Sequence, residues 1–516
     1  MEYKECIEAS RTSSGSSTTM TKYCSFPIPP RYGHSPTHYP FQFPGMQRLP
    51  PYSYALSSDS ESPTAAERSK ETSIGTLLQC VDNLIGISIF MCPYASELVG
   101  SQFGALTLGL TALTFSYTAS LLEKCQKTLG FDSYPEVLTY NKSPTSQNFI
   151  AVIVYAHALM NLFIYYVLIK SSILCSSFGL VENSDKVEQS LVDVFFSVIV
   201  TSFGVLVLLA EDKLKDKISY VINLVKMTTK FILCTTSIFS MAFIATTRLF
   251  STDKSVDVDS DDKINDLNTR SVSGTLQGIC IFCYGYLGHK MLPTIFSSAK
   301  HTTSFNHVIC LAFIIVTCIY IVTTLLGTGL YPNEVKIIYL WNISPKTTWI
   351  HKAFIITLSI FITIKFFVEV NCFQGSVVEA LDLKKALNIG RGRANSLDAD
   401  HRIIKNRELT LSVLLYILVP LFITCIARVL DAAFSVFDHS GDSAMISYLV
   451  FVNGGIFGVT LCWLLPISAY MEIDQFGEYI PRHEYILLYS LTTVGVCLVA
   501  AVIVCCVIDF LSYTIL

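Results

Sequence analysis

Eleven stretches of this 516-residue chain are apolar over the roughly 20 residues that a helix needs to cross the hydrocarbon core of a bilayer. Nothing constrains the fold more, because inside lipid every backbone N–H and C=O must find its partner within the protein, and a stretch of this length does so as a helix. The expected spans are residues 73–98, 102–122, 148–178, 191–210, 218–244, 274–296, 307–330, 347–372, 409–427, 444–470 and 485–508. Charge interrupts several of them, among them the fourth, which contains Asp193, and the eighth, which contains Lys365 and Glu369.

Composition agrees. Apolar residues make up 51% of the chain and charged residues 15%, with mean hydropathy +0.50, against about 25% charged in soluble domains. The lipid bilayer is therefore a partner. A net charge of -4 gives no reason to expect nucleic acid as another. The 17 cysteines lie mostly in apolar stretches, among them Cys310, Cys318, Cys425, Cys505 and Cys506. They read as buried thiols acting as small hydrophobes, with no disulfide framework. Cys280 and Cys283 form a CxxC without a second pair, so no metal site is expected.

Residues 1–72 differ from the rest. Nine of the chain's 18 prolines fall between Pro27 and Pro63, among Ser, Thr and Tyr, which reads as a disordered cytosolic tail before a membrane domain over residues 73–516. No signal-peptide pattern opens the chain. With the tail inside, Lys213, Lys215, Lys217 and the cluster Lys384, Lys385, Arg391, Arg393, Arg402, Lys405 and Arg407 are all cytosolic, as the positive-inside rule requires. The loop 471–484, rich in acids, gives that rule no support. Eleven crossings place Leu516 outside or in a lumen. Asn342, in Asn-Ile-Ser, is then a glycosylation candidate on that same side.

The first and sixth stretches are broken by glycine at their centres and closed by proline: NLIGISIFMCPYA (residues 83–95) and CYGYLGHKMLP (residues 283–293). A break frees backbone groups that find no water in lipid, so such breaks are kept where something binds. These two resemble the broken first and sixth helices of secondary transporters with inverted repeats. The resemblance implies an all-α polytopic membrane protein with a LeuT-type 5+5 repeat and one extra helix. In that architecture the free N–H groups of one half-helix suit a carboxylate, and the free carbonyls at the end of another suit an ammonium, so a zwitterion fits.

At the level of motifs the chain resembles the amino acid/auxin permease family, which includes vacuolar, lysosomal and vesicular amino-acid transporters. The residues that carry the likeness are the two broken segments with GHKMLPTIFSS (residues 288–298), SYPEV (residues 133–137) and GTGLYPNEV (residues 327–335). The family usually has Gly-x-Gly where this chain has Gly86, Ile87 and Ser88, so a serine replaces the second glycine. It often has Asn near the position of Asp82, which here precedes Asn83. The resemblance implies an amino-acid substrate bound by Gly86, Ile87 and Ser88 from the first break and by Cys283, Tyr284, Gly285, Tyr286 and Gly288 from the second.

Three ionisable residues are candidates for ion coupling. Asp82 lies beside the first break, where a bare carboxylate costs about 2.5 to 3.5 kcal/mol. It must be protonated, paired or facing a wet cavity. His289 is either a proton carrier or a hydrogen-bonded prop of the second break. Glu369 can pair with Lys365 one turn away, as a structural couple or a coupling site.

No HExxH, GxSxG or Walker A pattern occurs, so no catalytic residues are expected, and no cofactor beyond a coupling ion. The expected function is secondary active transport of an amino acid by alternating access. Coupling is to protons, with Na⁺ the alternative, in a plasma or vacuolar/lysosomal membrane. A transporter-like sensor that signals through the proline-rich tail is the competing reading. The sequence leaves open which amino acid is carried and whether the ion moves with it or against it.

Overall fold

Glycine and proline punctuate the helices where the sequence places them. The computed structural model describes residues 73–131, 133–140, 142–178, 272–299, 304–330, 335–338, 356–367, 369–370, 418–419, 421–426, 442–473 and 480–515, with single positions 221, 228 and 373. Every element of more than one residue among them is a helix. The tail, the expected spans 191–210 and 218–244, most of 409–427, the basic loop 374–408 and Asn342 lie outside the described residues.

The first span forms α1 (Ser73–Leu84) and α2 (Cys92–Val99), with a 3₁₀ turn Ile87–Phe90 between them. Pro93 sits in the opening turn of α2, where a missing N–H costs nothing. Gly100, with φ of 111°, makes the corner into α3 (Ser101–Leu129). Gly130, in the left-handed region at φ 69°, ends α3 by returning its N–H to the Gln126 carbonyl. A short α4 (Tyr134–Thr139) leads to α5 (Pro144–Phe178). The sixth span divides into α6 (Val272–Gly285), a 3₁₀ turn His289–Met291 and α7 (Leu292–Ser298). Then follow α8 (Phe305–Leu330) and α9 (Ile356–Phe367). The last spans are α10 (Asp442–Val452), running through two π segments into α11 (Leu465–Ile473), and α12 (Arg482–Ile515).

Among the described residues five helices are long and apolar enough to cross a membrane unbroken: Gln102–Leu129, Pro144–Ser172, Phe305–Leu330, Met445–Ile473 and Arg482–Asp509. They occupy different places. In the most apolar window of Met445–Ile473, 67% of residues are buried, against 11% for Arg482–Asp509. The first is the bundle's central helix and the second its outer one. Exposed Ile486, Val494, Ile503 and Ile508 on α12 are stable only against hydrocarbon. The same holds for Cys310, Cys318 and Cys425, which are exposed, not buried in protein as the apolar context suggested; lipid shelters them instead. All described cysteines are free thiols.

The central helix is not the regular helix its hydropathy suggests. Asn453–Gly458 and Thr460–Leu464 are π-helical, a form that frees carbonyls from the normal ladder. Two of these carbonyls find partners on other helices. Tyr134, from the SYPEV segment, donates its hydroxyl to the Leu461 carbonyl. Thr118 of α3 donates to the Cys462 carbonyl at 2.7 Å. The widened turns also bring glycines against α6, where Gly454 packs directly on the Cys280 carbonyl and Gly455 on the Cys280 thiol.

One end of the bundle is tied by ion pairs that join the end of α3 and the segment before α5 to the end of α11 and the start of α12. Lys142 pairs with Glu472 and bonds Ser468 at 3.1 Å. Lys124 reaches Glu484 at 3.3 Å and the Tyr470 hydroxyl at 3.3 Å. These residues therefore lie together at one end of the described bundle. Glu472 and Glu484, among the acids that spoil the charge count of loop 471–484, are matched by these lysines. At Val335, after α8, the N–H donates to Glu97 Oε2 of α2 at 3.1 Å.

A Cβ at position 454 would run into backbone, which cannot yield as a flexible side chain can. Gly454→Ala is therefore expected to lose about 1–3 kcal/mol through overpacking. The fall should be read as lower monodisperse yield and a lower melting midpoint in detergent, beside Gly109→Ala, whose Cβ would meet open space.

Candidate functional site

The two breaks meet on one tyrosine. Tyr320 of α8 is fully buried, and its hydroxyl lies 3.1 Å from the Leu84 carbonyl, the last of α1, and 3.2 Å from the Gly285 carbonyl, the last of α6. The Gly86 N–H donates to the same oxygen at 3.4 Å, and the Ser88 hydroxyl stands 2.9 Å away. A second tie joins the breaks directly, Asn83 donating its side-chain N–H to the Gly288 carbonyl at 2.6 Å. These are the groups that a helix leaves unpaired at its ends. The carbonyl ends of α1 and α6, each carrying the partial negative charge of a helix C-terminus, converge on a single point.

The expected substrate residues divide accordingly. Gly86, Ser88 and Gly285 lie around that point. Ile87 is buried in the 3₁₀ turn beside them. Cys283 and Tyr284 are buried in the last turn of α6. Tyr286 turns away from the gap: its hydroxyl stands 3.0 Å from Thr317 Oγ1 and its ring stacks on Phe313 at 5.7 Å, both on α8. Gly288 holds the breaks together, since a Cβ there would lie 2.8 Å from Leu84 Cδ2 and 3.0 Å from Asn83 Nδ2. Neither Gly86 (φ -116°) nor Gly288 (φ -105°) uses a backbone conformation reserved for glycine. At Gly288 the requirement is for space. At Gly86 a Cβ would meet nothing closer than 3.6 Å.

The three coupling candidates occupy different settings. Asp82 is half-buried on the last turn of α1, next to Asn83. His289 is fully buried, its Nε2 3.0 Å from Thr118 Oγ1 and 3.1 Å from the Phe115 carbonyl. A carbonyl only accepts, so Nε2 carries the hydrogen there. Its Nδ1 has no hydrogen-bond partner among the described residues. Through Thr118, His289 ties the second break to the π segment of the central helix.

Glu369 lies just beyond α9, and its ion partner is Lys290 of the second break, at 2.5 Å. The charge expected from Lys365, one turn away, is thus supplied from another helix. Asn161 of α5 approaches the same Glu369 oxygen at 3.5 Å and lies 3.2 Å from His157 Nε2. Asn453, at the head of the first π segment, accepts at His157 Nδ1 (2.8 Å) and donates to Asn161 Oδ1 (2.7 Å). A polar chain therefore runs from the second break through Glu369 to the centre of the bundle.

Sequence reasoning missed Tyr320, Lys290, His157, Asn161 and Asn453 as site residues. Signals existed for some. His157 and Asn161 stand four apart, on one face of an otherwise apolar helix, and Asn453 opens an Asn-Gly-Gly inside an apolar run.

Comparison with known proteins adds the following. A family model described as transmembrane amino acid transporter protein matches residues 69–508. An amino acid transporter of Arabidopsis thaliana, AVT1J, is 28% identical over 74 residues, a match that spans 14% of this chain and 18% of that protein. The manganese transporter of Eremococcus coleocola, solved with an aromatic bis-isothiourea compound, is 9% identical with a TM-score of 0.41, over 86% of this chain and 96% of that one.

The two glycines of the breaks should separate on substitution. Gly288→Ala drives a methyl against Leu84 and Asn83 and is expected to lower the melting midpoint in detergent, whereas Gly86→Ala should leave it within about 0.5 kcal/mol of the parent. Equal losses at both positions would mean that space is not what Gly288 provides.

Proposed function

The chain belongs to the transmembrane amino acid transporter family, and from that premise we propose that it carries amino acids across a membrane by alternating access. The family is one of multi-pass membrane transporters, not of enzymes. The observation that carries the reading is the convergence of the α1 and α6 carbonyl ends on one buried point, with the Gly86 N–H beside it. Two helix C-termini attract an ammonium, and N–H groups of the first break attract a carboxylate. An α-amino acid presents both within a few ångströms.

The proposal extends to architecture: eleven spans in a 5+5+1 repeat, the N-terminus cytosolic and Leu516 on the other side. It extends also to coupling. Protons are the coupling ion in this reading, and Glu369 is the residue best placed to exchange one. Its pair with Lys290 links the second break to the segment just after α9, with Glu369 buried and Lys290 half-buried. Protonation of Glu369 would release Lys290 and with it the tie across the two helices. Asp82 and His289 remain alternatives within the same reading. Na⁺ coupling would instead draw on backbone carbonyls and hydroxyls near the breaks.

Uptake by proteoliposomes across an amino-acid panel, under an imposed pH or Na⁺ gradient, tests the function. Accumulation of at least one amino acid is expected with the pH gradient. No transport of any member would sink the reading. Glu369→Gln preserves shape and removes the titrating group, so it should still exchange substrate across the membrane but lose accumulation driven by pH. Asp82→Asn is the parallel experiment, and retention of wild-type pH dependence by both would remove these two carboxylates from the coupling step. Protease or tag accessibility should place the two termini on opposite sides, and finding both in the cytosol would remove one span from the count.

A further inference from the structure

The groups assigned above to the substrate are already engaged, by Tyr320. We propose that the Tyr320 hydroxyl, steadied by Ser88, is a built-in occupant of the ammonium position, and that an amino acid binds by displacing it. This inference rests on the transport reading of the same site.

The stoichiometry of hydrogen bonding supports it. A phenol has one proton to give. Two carbonyls, Leu84 and Gly285, lie 3.1 and 3.2 Å from it, and both can only accept. The hydroxyl therefore serves one of them at a time. An ammonium has three donors and can serve both together. The two carbonyls are thus held by a partner that satisfies them incompletely, which leaves a ligand with more donors something to gain.

Ser88 braces the arrangement. With the phenol proton given to a carbonyl, the Ser88 hydroxyl, 2.9 Å from that of Tyr320, donates to the phenol oxygen. It thereby holds the phenol over the gap. A residue at position 88 without a hydroxyl would leave the tyrosine without this contact. The Tyr320 ring also sets the width of the gap, standing 3.3 Å from where a Cβ on Gly285 would be. Its rear face is packed against Tyr286 at 5.6 Å, so movement of the hydroxyl requires the ring to shift within an aromatic cluster that includes Phe313.

Tyr320→Phe keeps the ring and its packing and removes only the occupant. Binding is to be measured with the full-length protein in detergent, first by screening the wild type against the standard amino acids and then by titrating the best ligand into wild type, Tyr320→Phe and Ser88→Ala. The expected result is about five- to tenfold tighter binding to Tyr320→Phe and a smaller gain in Ser88→Ala. The matching α-hydroxy acid, which has no ammonium, should show no gain. Unchanged or weaker binding of the amino acid to Tyr320→Phe overturns the proposal and makes the hydroxyl structural or a direct ligand. An equal gain for the hydroxy acid overturns the assignment to the ammonium position. If neither protein binds any amino acid, the transport reading fails and this inference fails with it. Ser88→Ala carries the test should Tyr320→Phe fold poorly.

Discussion

Backbone dipoles that cannot reach water govern this molecule. A helix broken inside lipid must have its loose ends paired by something, and the alternative costs about 1–3 kcal/mol for each buried group left unpaired. Here the ends of α1 and α6 share one phenol, the first break is tied to the second through Asn83, and the freed carbonyls of the central helix are taken by Tyr134 and Thr118. Each solution uses a side chain from a different helix. The breaks are therefore what bind the bundle together as well as what interrupts it, and α8, α3 and α4 are held in place by the defects of their neighbours.

The polar chain through Lys290, Glu369, Asn161, His157 and Asn453 follows the same logic at longer range. It starts on a broken helix and ends on a π-helical one. Both are irregular elements whose hydrogen bonds can be redrawn at modest cost, unlike those of α3 or α8. Charge placed between two such elements can bias which arrangement they adopt.

How much of this could be read from the sequence depended on the kind of signal. The broken helices were legible because glycine and proline interrupt an apolar run, and the ends of α1, α2, α6 and α7 fall within the two motifs. Tyr320 was not, being one of 26 tyrosines on a segment with no other sign of function. What distinguishes it is the meeting of three chain segments at its hydroxyl, a property of tertiary structure. Glu369 was identified but not its partner, since helical spacing finds Lys365 and only packing finds Lys290. The π segments were invisible because one extra residue per turn leaves hydropathy unchanged. The cysteines on the outer surface were misjudged because apolarity does not distinguish burial in protein from burial in lipid.

The loop pairs Lys142–Glu472 and Lys124–Glu484 join residues 330 and 360 positions apart. During synthesis the lysines emerge long before their partners. Lys142 meets Glu472 once α11 is in place, and Lys124 meets Glu484 only when α12 docks. The two pairs thus form a clasp that closes in two steps as the bundle is completed. A chain truncated before α12 would keep one half of the clasp and lose the other.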